Sequence, residues 1–236
     1  MRHRPITPLL LSRPCRLALL LSLAVASAGC TEHGSTPAPE PAFALLPDAV
    51  AVDGLLPGGE TALKRVHFRD RHGEGLLVVE RSDETVDDPD GETLDVAVLT
   101  ARFHARPSAQ AAWDKHWQRQ IRQPCPGLDL DAGWFLDRVG VTDLDGDGQA
   151  EITLASHTFC GGGIDPQQIH ISLIDGSNHY GTEGESLVTL DGEPPFGGER
   201  HDSDTLAGAP APFVRHLDTV WSQLREAPGD AADGAP

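Results

Sequence analysis

The sequence predicts an α+β fold, in which an antiparallel β-sheet of hairpins is packed by two amphipathic helices within a single domain over residues 43–226. Three observations lead there. Short apolar runs recur between turn signals, the pattern of antiparallel hairpins. Two stretches instead repeat apolar residues every three or four positions, the period of a helix. No internal repeat divides the chain, and 236 residues at 39% hydrophobic content are compatible with one core.

In chain order, residues 42–59 are broken by Pro47, Gly54 and Pro57 and read as an irregular entry with one short strand. Residues 62–69 place Leu63, Val66 and Phe68 in imperfect alternation, 75–81 contain the run LLVVE, and 94–104 read LDVAVLTARFH. Residues 71–75 (RHGEG) form the turn between the first two of these strands. Residues 82–93, acidic and containing DPDG, connect the second to the third and read as a solvated hairpin rather than a second cation site.

The period then changes. Over residues 107–122, Ala109, Trp113, Trp117 and Ile121 recur every fourth position, which predicts the first helix. Pro107 suits a first helical turn, Pro124 and Pro126 end the segment, and the two tryptophans become core anchors. A strand over 134–143 enters an acidic loop and 152–158 returns from it. Glycines 161–163 lack the lysine of a phosphate loop. Residues 168–174 and 179–189 form another hairpin around DGSN. Residues 190–211, rich in Gly, Pro and Asp and including His201, Asp202 and Asp204, are irregular. Phe213, Leu217, Val220, Trp221 and Leu224 mark the second helix over 212–225, and 227–236 form a disordered acidic tail.

The N-terminus reads as an address. Residues 1–16 are basic and 17–28 are apolar or small, the proportions of a signal peptide and too short to span a bilayer. The segment closes on Ser27-Ala28-Gly29-Cys30. This resembles the lipobox of bacterial lipoproteins, with Ser27 where leucine is usual. The resemblance implies a signal peptide over 1–29 and lipidation of Cys30. It also implies a membrane anchor, with Thr31 after the cysteine favouring the outer membrane of the cell envelope. Residues 30–42 then form a flexible Pro-, Ser- and Thr-rich tether.

The formal net charge is −18; without the four arginines of residues 1–29, 14 basic residues face 36 acidic ones. That balance argues against nucleic acid as a partner, because phosphate contacts need Lys and Arg. Once Cys15 leaves with the signal and Cys30 carries lipid, Cys125 and Cys160 remain. In an oxidising compartment they most simply form a disulfide. A catalytic thiol is the alternative, and no histidine stands at a recognisable spacing to support it.

The chemically specific stretch is 141–156, VTDLDGDGQAEITLAS. Asp143, Asp145 and Asp147 alternate, Gly146 and Gly148 permit a tight turn, and Glu151 follows. With the backbone carbonyl of Gln149 these supply the oxygen set of a hard cation, and Ca²⁺ takes six to eight such ligands. The first six positions resemble an EF-hand, but the twelfth is Leu154 rather than a bidentate glutamate, and no helices flank the loop. The stretch more closely resembles the DxDGDGxxE strand–loop–strand of FG-GAP repeats in integrin-type propellers. A propeller needs several blades and only one copy is present, so the resemblance extends to the loop and not to the fold. Residues 143–166 are also similar to an uncharacterised family of bacterial envelope proteins.

The resulting expectation is a non-enzymatic cell-envelope lipoprotein with a structural calcium loop, binding an envelope or extracellular protein or polysaccharide. The alternatives are an envelope glycan hydrolase or polysaccharide-processing factor using a carboxylate pair or a histidine such as His157 or His170, and an inhibitor or immunity-type lipoprotein.

Overall fold

Alternating apolar residues in consecutive strands bury one side of a sheet, and here they build two sheets that share a core. In this computed structural model, residues 42–47, 55 and 62–226 are described. The expectations for the signal peptide, Cys30, the tether up to residue 41 and the tail at 227–236 lie outside the described residues. Residues 43–226 were expected to be one domain, and the described residues lie in one compact unit.

The first sheet is an antiparallel meander of β1 (Ala44–Leu45), β2 (Lys64–Asp70), β3 (Gly73–Asp87), β4 (Thr93–Arg106) and β5 (Asp114–Cys125), in that spatial order. The connector between β3 and β4 is shorter than the sequence suggests, because both strands continue to the pair Asp87↔Thr93. The Asp88 carboxylate closes the turn, accepting hydrogen bonds from the backbone N–H of Asp90 (2.9 Å) and Glu92 (2.8 Å). That is an Asx-type turn.

The second sheet is formed by β6 (Asp129–Trp134), β7 (Gly140–Thr142), β8 (Glu151–Gly161), β9 (Gln168–Asp175), β10 (Asn178–Glu185) and β13 (Arg200–Asp202). Both β6 and β7 pair with β8, so the strand expected at 134–143 is split by a turn at Phe135–Val139. Lys64 of β2 donates to the carbonyls of Leu136 (2.5 Å) and Val139 (2.7 Å) in this turn. The stretch 190–211 has more order than expected. β11 (Leu187–Val188) pairs with β12 (Phe196–Gly197), and a short 3-10 helix spans Asp204–Gly208. Asp202 is bonded to Arg200 (2.7 Å), which also reaches Asp218, so this cluster ties β13 to the final helix.

Phe68, Leu77, Val79, Leu99 and Ala101 of the first sheet pack against Trp134, Val141, Ile152, Leu154 and Ile174 of the second. The reverse side of the second sheet carries Ala155, Ile169, Ile171 and Leu173, covered by α1 (Ala211–Leu224). The helix buries the predicted stripe of Phe213, Leu217, Val220, Trp221 and Leu224. It has no side-chain cap at its N-terminus. Packing therefore holds it, since each buried large apolar side chain contributes roughly 1.5–3 kcal/mol and a cap only about 1 kcal/mol. The layers are sheet, sheet and helix.

The fold class therefore needs correction: the described residues are mostly antiparallel β-sheet, with one amphipathic helix among them instead of two. The segment expected as the first helix is β5 preceded by a turn region. Trp117 and Ile121 are four apart, which is one helical turn but also two full pleats of a strand. The competing demand comes from β4, buried along Val96–Ala101, whose backbone groups need a partner on each side. β5 supplies one, pairing from Asp95↔Cys125 to Ala105↔Asp114 with a register shift at Phe103/His104. As an edge strand β5 tolerates Pro124. Trp117 joins the core against Phe103, whereas Trp113 falls outside the strand, with Arg106 over its ring at 4.4 Å.

The expected disulfide is present. Cys125 at the end of β5 is bonded to Cys160 of β8, so a covalent link joins the two sheets.

Candidate metal centre

β7 ends at Thr142 and β8 begins at Glu151, so the acidic loop is a hairpin connection at one end of the sandwich. Its turn needs two left-handed residues, and Gly146 (φ 78°) and Gly148 (φ 83°) provide them. The side chains fold back on the loop's own backbone. The N–H of Asp147 donates to Asp145 Oδ1 (3.2 Å), that of Gly148 to Asp143 Oδ2 (3.2 Å), and that of Gln149 to Asp147 Oδ1 (2.7 Å). The N–H of Leu144 donates to Glu151 Oε2 (2.6 Å).

This geometry gathers the four predicted carboxylates. One ligand oxygen from each of Asp143, Asp145, Asp147 and Glu151 lies within 4.8 Å of the others, and the group can hold a metal ion. Among the described residues no other set of three or more histidine, cysteine or carboxylate side chains gathers in this way. Glu151 is 1% exposed. Burial, opposed by the Leu144 N–H and reinforced by Asp145, Asp175 and Asp143, pushes its carboxyl up to about 7. Asp143 Oδ1 is buried and makes no hydrogen bond among the described residues. Crowded carboxylates, a raised acid and an orphaned oxygen all fit a bound cation, which would favour the ionised forms and satisfy that atom. Leu154, at the position an EF-hand gives to glutamate, is a core residue 5% exposed.

The fifth expected ligand, Gln149, is engaged through its side chain. Its Oε1 accepts from Arg71 Nη2 (3.0 Å) and is 2.9 Å from His72 Nε2, and its Nε2 donates to Asp175. The sequence reading missed these neighbours. Arg71 donates from Nη1 to Asp147 Oδ2 (2.9 Å) and from its backbone N–H to the Gly148 carbonyl (2.8 Å). Asp70 Oδ2 accepts from the Ala150 N–H (3.2 Å). The β2–β3 turn and the β9–β10 hairpin thus both clasp the loop. Their only sequence signal was that Arg71 and Asp175 stand at turns.

The histidines considered for hydrolysis sit elsewhere. His157 is 1% exposed, with its ring 5.1 Å from Phe135 and its Nδ1 3.5 Å from Asp131. His170 lies 3.7 Å from Glu183, and burial pulls its pKa below the usual histidine value despite that carboxylate. No helix among the described residues is long and apolar enough to cross a membrane. No family model, curated protein or solved structure matches the chain.

Proposed function

We propose that this chain is a non-enzymatic lipoprotein of the bacterial cell envelope, anchored through lipid on Cys30 at the outer membrane. Its loop at 143–151 holds a structural Ca²⁺, with the Gln149 carbonyl completing the carboxylate set, and its surface binds an envelope or extracellular protein or polysaccharide. The observation that carries this reading is the convergence of Asp143, Asp145, Asp147 and buried Glu151 within 4.8 Å of one another. Ca²⁺ suits such a set because it accepts many carboxylate and carbonyl oxygens, whereas Mg²⁺ prefers few carboxylates and several retained waters. These five groups supply most of the six to eight oxygens that Ca²⁺ takes, and the place of the loop as a hairpin between two core strands favours a structural ion. The clasp from turns of both sheets means that an ordered loop orders its neighbours as well.

Thermal melts with Ca²⁺ and with EDTA test the reading. Ca²⁺ raises the melting temperature of the wild type and leaves Asp145→Ala unchanged; equal wild-type values in both conditions would sink the calcium assignment. For the anchor, Cys30→Ala releases the chain from the membrane fraction, and retention of that variant would refute lipidation at Cys30.

A further inference from the structure

Next to the acidic loop, residues of both sheets line a cleft of about 220 Å³. Small residues make the space: Gly73 and Gly75 on β3, Ala105 on β4, Ala150 and Gly176. Gly75 cannot be larger, because a Cβ there would overlap the Phe68 ring. The inner wall is apolar, with Phe68 and Phe103 stacked at 5.9 Å, Trp117 tilted on Phe103 at 5.5 Å, and Ile152 and Ile174 alongside.

The polar groups on the wall decide what fits. Asp70 already accepts from the backbone N–H groups of His72 and Ala150. Glu74 accepts from Arg106 and pairs with His67. Gln149 is held by Arg71, His72 and Asp175. Among the described residues, only His116 and Trp117 of the wall's polar side chains make no hydrogen bond; His116 packs edge-on to Phe103 at 5.4 Å. A sugar could donate to the remaining lone pairs of Asp70 and Glu74, but its other hydroxyls would lie against the apolar wall, at a cost for each one left unsatisfied. An anion would meet the carboxylates of Asp70 and Glu74 on the wall. A cavity of roughly 150 Å³ takes benzene, so this one has room for a substituted or fused ring.

We propose that this cleft binds one uncharged aromatic ring carrying a single hydroxyl or N–H, a phenol or indole group, stacked among Phe68, Phe103 and Trp117 beside His116. The ring is either a free small molecule or a side chain of a polypeptide. The inference does not depend on a cation in the loop.

Ligand-observed and protein NMR with indole, p-cresol, the peptide Ac-Gly-Trp-Gly-NH₂, glucose and benzoate test it on the chain with Ca²⁺ and with EDTA. Indole and p-cresol bind saturably in both, shift the Phe103 and Trp117 ring resonances, and bind at least tenfold more tightly than glucose or benzoate. Tighter binding of the peptide than of indole identifies a polypeptide source, and its exclusion identifies a free molecule. Ala105→Leu, which narrows the cleft, weakens indole at least tenfold with the circular dichroism spectrum unchanged. Absence of ring binding, equal binding of glucose or benzoate, shifts confined to other residues, or undiminished binding by folded Ala105→Leu would each overturn it. If Ala105→Leu does not fold, the wild-type resonance shifts alone distinguish binding in the cleft from binding elsewhere.

Discussion

Arg71 donates from Nη1 to Asp147 Oδ2 at 2.9 Å across 76 residues of sequence, so the turn of one sheet grips the acidic loop of the other. Both side chains are about two-fifths exposed, which limits the pair in water. Exposed pairs contribute roughly 0–1 kcal/mol, and the added bond to Gln149 places this one at the upper end. Arg71→Met therefore lowers stability by about 1 kcal/mol in EDTA, with a smaller loss in 1 M salt, where screening has already weakened the pair. Denaturant titrations at two salt concentrations check this. An equal loss at both would mean that the side chain acts through packing.

Glu151 sets a pH dependence in the metal-free protein. Its folded pKa of about 7 lies above the ordinary value of 4.5, so between those values the folded state binds more protons than the unfolded chain. Stability then falls as pH rises from about 4.5 to about 7 and stays low above it. Glu74, held below the usual carboxylate range despite burial by its bonds to Arg106 and His67, works in the opposite sense. Its contribution is present above 4.5 and is lost as pH falls through its depressed value. Together these two carboxylates contribute most near pH 5, while His104, His170, His179 and His216, whose pKa values burial pulls below the usual histidine value, each add stability as pH rises towards 6.5. Glu151→Gln flattens the decline toward pH 7 in EDTA, and Ca²⁺ flattens it in the wild type by favouring the carboxylate. Melting curves of both proteins in EDTA from pH 4 to 8 measure both effects; a difference between wild type and Glu151→Gln that does not change from pH 5 to 7 contradicts them.

What was legible in the sequence was what is local. The loop's carboxylates and glycines lie within nine residues, so the spacing itself carries the geometry. The stripe of Phe213, Leu217, Val220, Trp221 and Leu224 mixes three- and four-residue steps, which no strand can place on one face. Trp117 and Ile121 offered only a four-residue step, which both periods satisfy, and pairing with β4 decided the outcome. The clasp by Arg71 and Asp175 and the small-residue cleft were illegible for a different reason. Each is assembled from strands and turns that meet only after the two sheets pack.

The two loop glycines separate conformational cost from steric cost. Both have positive φ, 78° at Gly146 and 83° at Gly148, so alanine at either is strained by about 1 kcal/mol or more. A Cβ at Gly146 meets nothing within 4 Å, whereas one at Gly148 stands 2.8 Å from the Ala42 Cβ. Gly148→Ala therefore destabilises the protein more than Gly146→Ala, by roughly an additional 1 kcal/mol. Chemical denaturation of the two variants side by side checks the order, and equal losses would mean that the chain at Ala42 yields freely.

The disulfide joins the sheets at β5 and β8, closing a sequence separation of 35 residues. A loop of that length restricts the unfolded chain enough to stabilise the folded state by roughly 2–4 kcal/mol. Replacing both cysteines with serine lowers the unfolding free energy by about that amount. Because the backbone pairing Leu130↔Cys160 and Asp95↔Cys125 does not depend on sulfur, the sheet content survives. Denaturation followed by circular dichroism reads both quantities, and loss of the β signal in the double variant would show that the bond is required for the sheets to associate.

Trp113 and Trp117 distinguish β5 from the helix that the four-residue period suggested. On a helix both would share one buried face, and truncating either would cost a similar amount. In the strand, Trp117 packs with Phe103 and belongs to the inter-sheet core, whereas Trp113 precedes β5 and meets Arg106 and the edge of His67. Trp117→Ala should cost about 3 kcal/mol, the lower end for truncating a buried aromatic, because Trp117 is only partly buried. Trp113 is half-buried but outside the inter-sheet core, so Trp113→Ala loses its contacts with Arg106 and His67 and costs less, roughly 1–2 kcal/mol. Unfolding free energies of the two variants measure the gap. Equal and large losses would restore the helical stripe and remove β5 from the edge of the first sheet.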